Sequence, residues 1–129
     1  MTRPAPTSLV RAALAVAALV LLASGCITPS IPIPPPDPER MAFEVDADLG
    51  VGTFAYPPDE NYAQAIVYVF NRDQQRGIIT VARDDGSVGP TEPLPIASGD
   101  NVLVSFETED QVVSTCVVIT EGAPSGICD

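Results

Sequence analysis

The chain has 129 residues, with 17 acidic against six basic side chains and a formal net charge of -11, and it contains no histidine, lysine or tryptophan. Without histidine or lysine there is no serine triad, no serine–lysine dyad and no zinc site to be expected. So acidic a surface also excludes nucleic acid as a partner, because its recognition runs through cationic contacts to phosphate.

The first segment is an address. Arg3 and Arg11 precede an apolar run of 12 residues, 12–23, which closes on Leu22-Ala23-Ser24-Gly25-Cys26. A cationic start, a short greasy stretch and a small-residue cleavage site are the make-up of a secretory signal. The run is too short for a transmembrane helix, which needs about 20 apolar residues. Small residues directly before Cys26 resemble the lipobox of bacterial lipoproteins. That resemblance implies cleavage after residue 25 and a covalent lipid (palmitate among its acyl chains) on Cys26. Ile27 follows where an aspartate would retain such a protein at the inner membrane, so the resemblance implies an outer-membrane location. Two or more acyl chains make attachment stable, at about 0.8 kcal/mol per buried methylene. Residues 26–129 then carry four arginines (Arg40, Arg72, Arg76 and Arg83) against all 17 carboxylates, a net charge of -13.

Six of the 12 residues in 27–38 are proline. Proline fixes φ and removes a backbone donor, so this stretch is expected to be a semi-rigid polyproline II spacer of roughly 35–40 Å. The expected organisation is a signal at 1–25, a lipidated cysteine with its linker at 26–40, and one folded domain at 41–129.

Within that domain short runs rich in Val, Ile, Thr, Phe and Tyr alternate with Gly, Pro, Asp and Asn clusters, which predicts strands. They fall at 42–46, 52–56, 65–71, 77–83, 101–108 and 112–120. Val102, Val104 and Phe106 alternate with Leu103, Ser105 and Glu107, giving one buried and one wetter face. Val67 with Val69, and Ile79 with Val81, follow the same period. The runs 66–70 and 117–119 are apolar on both faces, as central strands of a sandwich often are. Asp84-Asp85-Gly86 is a turn supporting a hairpin, Glu109-Asp110 a tight loop between two strands, and Ser98-Gly99-Asp100 the lead into the strand at 101. Pro90, Pro93 and Pro95 demote 88–96 to an edge strand or loop. The pattern predicts an all-β fold, a small antiparallel sandwich of about six to seven strands after the signal helix and linker.

The stretches A-I-V-Y-V-F-N (65–71), I-T-V-A-R-D-D-G-S-V (79–88) and A-S-G-D-N-V-L-V-S-F-E (97–107) resemble bacterial immunoglobulin-like domains. In that family such modules serve as stalks, adhesins and presenting spacers, which implies a structural or protein-binding role.

Cys116 and Cys128 remain once Cys26 is lipidated. In an oxidising compartment paired thiols persist, and a loop of this size contributes about 3 kcal/mol. A disulfide is expected here; a metal site lacks further ligands, and a catalytic thiol lacks a histidine to activate it. Carboxylate chemistry of the glycosidase kind needs a cleft that so small a sandwich is not expected to offer, so no enzymatic activity is expected. The weak metal candidates are Asp46, Asp48, Asp84 and Asp85; Asp100 sits in a further loop, Glu107, Glu109 and Asp110 cluster at one hairpin tip, and calcium wants six to eight oxygens. No EF-hand spacing is present, because Gly50 stands where the third ligand belongs. Calcium or a small ligand in acidic loops is therefore the alternative to a protein partner. Tyr56, Tyr62 and Tyr68 are expected as buried cross-strand aromatics, and Arg72, Asp73 and Arg76 as a surface ion-pair group.

Overall fold

The computed structural model describes residues 11–17 and 31–129. Residues 11–17 are helical and exposed, within the predicted signal. Cys26 and the cleavage site lie outside the described residues. Among the described residues no helix is long and apolar enough to cross a membrane.

Residues 32–129 form one compact unit, an all-β sandwich of two antiparallel sheets. The strands are β1 (Ala42–Asp46), β2 (Val51–Ala55), β3 (Ile66–Asn71), β4 (Arg76–Val81), β5 (Leu94–Pro95), β6 (Asn101–Glu107), β7 (Val112–Val118) and β8 (Gly126–Ile127). Six of them coincide with the predicted runs to within a residue or two at each end. β5 is what the prolines leave of 88–96, and β8 has only two residues, too short to signal itself by alternation. One sheet runs β1-β2-β5 and the other β4-β3-β6-β7-β8. The period of two does the sorting: Val67, Val69, Val102, Val104, Phe106 and Val117 of the larger sheet are buried against Phe43, Phe54, Leu94 and Ile96. Five rings meet in this core, with Tyr62, from the turn before β3, stacked on Phe106 at 4.2 Å and Phe43 5.2 Å from Phe54.

The turn at Asp84-Asp85-Gly86 forms, with Gly86 N donating to Arg83 O, but it does not close a hairpin. The chain leaves β4 and crosses to the other sheet, where Val88 bridges Tyr56. Gly86 sits at φ +81°, and a Cβ there would overlap the Asp59 carbonyl oxygen. A hairpin without Gly or Pro joins β3 to β4 instead, with Gln75 at φ +56°.

The proline segment differs most from expectation. Pro36 is buried, and the stretch from Ile33 to Asp37 is fastened to the sandwich. Ile33 N donates to Gln111 Oε1 at 2.9 Å, Tyr62 Oη to Pro34 O at 2.6 Å, and Thr115 Oγ1 to Pro36 O at 2.6 Å. Asp37 N donates to Tyr56 Oη at 3.1 Å. Proline removes donors but keeps its carbonyls, and buried hydroxyls need acceptors. The compact unit therefore begins at residue 32, nine residues before the predicted boundary. Burial holds the Tyr56 and Tyr62 hydroxyls above their ordinary range, so both stay protonated and able to donate.

Candidate functional site

Cys116 and Cys128 are joined, Sγ to Sγ at 1.97 Å, as expected. The bond does more than close the end of the chain. From Cys116 in β7 the chain crosses to the smaller sheet, where Gly122 and Phe43 exchange backbone hydrogen bonds of 2.8 and 2.9 Å. It then returns to pair as β8 beside β7. The disulfide thus fixes a loop that spans both layers.

Of the candidate carboxylates, Asp46, Asp84 and Asp85 accept hydrogen bonds in or beside turns. Asp46 Oδ1 accepts from the amides of Asp48 and Leu49, closing the β1–β2 turn. Asp85 Oδ1 accepts from Ser87 Oγ and Ser87 N, and these bonds hold its carboxyl below the usual range. Asp84 takes the Gln64 amide. Asp46 and Asp48 lie at one turn, Asp84 and Asp85 at another. Among the described residues no three His, Cys, Asp or Glu side chains converge as metal ligands. At the β6–β7 tip Glu107 accepts a hydrogen bond from Tyr68 Oη, 2.5 Å long. That bond holds the Tyr68 hydroxyl above its usual range. Tyr68 is thus on the outer face of its sheet, unlike Tyr56 and Tyr62, which are buried in the core.

The surface group of Arg72, Asp73 and Arg76 does not pair with itself either. Arg72 Nη1 reaches Cys116 Sγ at 3.8 Å, and Asp73 Oδ2 accepts from Asn101 N at 2.6 Å. Among the described residues the ion pair within 4 Å is Arg40 with Asp59, at 2.8 Å, with Arg40 also over the Tyr56 ring.

What the structure brings together is an apolar face that none of the described residues covers. Opposite the core side, the larger sheet presents Ile79, Tyr68, Ser105 and Ser114 as one cross-strand row. Val81, Ile66, Glu107 and Val112 form the row on one side of it. On the other side lie Gly77, Phe70, Leu103 and Cys116. Ile79 is 70 % exposed, Val112 62 % and Val81 61 %, and Ile66 and Phe70 are exposed as well. Glu107, already bonded to Tyr68, is the one carboxylate in these three rows. In a domain with so large an acidic excess, a face nearly free of charge is the anomaly; contiguous exposed apolar patches mark interaction surfaces. The sequence did carry a sign of it, in the run 66–70 apolar on both faces. That run is central in its sheet, yet only one of its faces is covered.

A groove of about 600 Å³ borders this face, lined by Asn61, Gln64, Ile66, Glu107 and Asp110 among others. It is open and acidic. Comparison of the chain with protein-family models, with curated proteins and with solved structures finds no match.

Proposed function

We propose that this chain is an outer-membrane lipoprotein, held through a lipid on Cys26, whose immunoglobulin-like sandwich acts without catalysis as a protein-binding module. The observation that carries the reading is the outer face of the larger sheet, apolar, almost uncharged and without cover. Anchoring rests on the sequence from Arg3 to Cys26, and binding rests on that face. Apolar surface of this kind is stabilised by burial at about 25 cal/mol per Å², and the module's own fold leaves it in water.

Two measurements test the two halves separately. A Cys26→Ala chain should leave the membrane fraction; equal membrane retention would end the anchoring reading. A photo-crosslinking residue at Val112, on the face, should capture one abundant protein in intact cells, while the same group at exposed Leu49 should not. Equal capture from both positions, or from neither, would end the binding reading.

A further inference from the structure

The larger sheet ends in β4, and β4 is a bare edge. Ala82 N donates to Ala65 O, so by the alternation of an antiparallel ladder Thr80, Ile78 and Arg76 turn their backbone groups toward β3. Gly77, Ile79 and Val81 then turn theirs outward, and nothing in the described residues pairs with them. The other edges are short or attended. β8 has two residues, and β1 is met by Gly122 and by Glu121, whose Oε2 accepts from Val45 N. Edge strands are usually blunted by charge, proline or a bulge. The three outward positions of β4 carry none of these.

We propose that β4 pairs antiparallel with β4 of a second copy of this chain, on a two-fold axis at Ile79, making one continuous ten-stranded sheet. The symmetry follows from the outward groups. Ile79 faces its own copy as a hydrogen-bonded pair, and Gly77 faces Val81 in both directions. Charge favours this arrangement over a foreign strand. The N-terminal end of β4 carries Arg76, which has no carboxylate within ion-pair distance among the described residues. Its C-terminal end runs into Asp84 and Asp85, past Arg83, whose guanidinium is turned to Ser87 and Gly89. Antiparallel pairing of two copies brings the arginine end of each to the aspartate turn of the other, at both ends at once. Glu92 lies beside Ile78 to Thr80, so pairing about Ile79 brings the two copies' Glu92 carboxylates toward each other near the axis, a cost that the two arginine–aspartate ends must offset. The long-range repulsion of two acidic domains opposes the dimer and is screened by salt, so association should strengthen as salt rises toward physiological levels. The inference goes beyond the binding reading and does not depend on it, though a dimer would double the apolar face.

The test uses the full chain in detergent, at protein concentrations giving fewer than one copy per micelle. With an oxidant, Ile79→Cys should form a disulfide-linked dimer, while Val112→Cys, on the same face but away from the edge, should not. Sedimentation of the uncrosslinked chain should show a dimer that Arg76→Asp weakens about fivefold, as does Asp84→Arg, with the doubly reversed chain regaining most of the loss. Cross-strand rescue is an effect that a merely structural role for either residue would not produce. A monomer at every salt concentration, crosslinking through Val112→Cys as strongly as through Ile79→Cys, or no recovery in the double reversal would overturn the proposal. So would an Ile79→Cys crosslink in native membranes that joins a different protein in place of a second copy.

Discussion

The side-chain amide of Asn71, the last residue of β3, donates to Asp100 Oδ2 at 2.8 Å, just before β6 begins. The same amide donates to Pro95 O at 3.0 Å, and Asn71 Oδ1 accepts from the backbone of Asp73 and Gln74. Asn71 is fully buried and fully satisfied. One side chain thereby holds the β3–β4 turn, the end of β5 and the entry to β6. Replacement by leucine, similar in size but without polar atoms, would strand these partners. Each buried group left unpaired costs about 1–3 kcal/mol. Asn71→Leu should lose about 2–4 kcal/mol in urea unfolding; a loss under 1 kcal/mol would show that water replaces the amide.

Asp100 gives this network a pH signature. Burial alone would raise its carboxyl, but hydrogen bonds from Asn71, Gln74 and Ala97 together outweigh burial and hold it below the usual range. A carboxylate lowered in the folded state stabilises fully above its unfolded value, about 4, and that stability is lost as pH falls through the folded value. The stability difference between the native chain and Asp100→Asn should be constant from pH 7 to about pH 5. It should shrink below about pH 4. A difference unchanged down to pH 2 would mean that Asp100 is not held as the anion.

The disulfide loop crosses between sheets, so its loss should be felt beyond the C-terminus. The Cys116→Ala, Cys128→Ala chain should be about 3 kcal/mol less stable. Amide exchange should speed up both in the segment after Val118 and at Phe43, whose backbone pairs with Gly122. Faster exchange confined to residues after Gly122 would show that the bond merely clips β8.

Much of this fold is legible in the residues, because period-two alternation reports directly which face meets the core. Val102, Val104 and Phe106 behave as that alternation requires, and the bond between Cys116 and Cys128 is the pairing that the cysteine count suggests. What escaped has a physical reason in each case. Alternation says that a face is apolar but not whether another layer covers it, so Ile79 and Val81 read as core while lying largely in water, and Ile66 and Phe70 while partly exposed. Proline content reads as an extended spacer, because the eye counts the lost donors and not the retained carbonyls. Tyr62 and Thr115 are partners distant in sequence that make those carbonyls useful, and local patterning does not encode them. Turn chemistry at Asp84-Asp85-Gly86 specifies a reversal but not its destination, which the sheet-to-sheet crossing decides.

If the proline segment is part of the domain, its hydroxyl partners should matter. Tyr62→Phe keeps the ring on Phe106 and removes only the bond to Pro34 O. It should cost about 1 kcal/mol, and Thr115→Val, losing the bond to Pro36 O, a similar amount. Both should speed protease cleavage before Met41. Unaltered cleavage in the double variant would return residues 33–37 to the role of a free linker.

Gly86 lies where the chain leaves β4 for the other sheet, packed directly against the Asp59 backbone. Its φ of +81° is one that side chains rarely adopt, and an added methyl would meet the Asp59 carbonyl. Asp59 is itself tied by its amide to Asp85 O and by its carboxylate to Arg40, so it has little room to yield. Left-handed strain costs about 1–2 kcal/mol for a residue with a Cβ, and displacement of the carbonyl adds to it. Gly86→Ala should therefore lose at least about 2 kcal/mol, with the largest amide shifts at Asp59, Asp85 and Arg40. The equivalent change at Gly99, also at positive φ but with open space around it, should carry the conformational cost alone. Equal losses at the two glycines would show that φ, and not the contact with Asp59, sets the requirement.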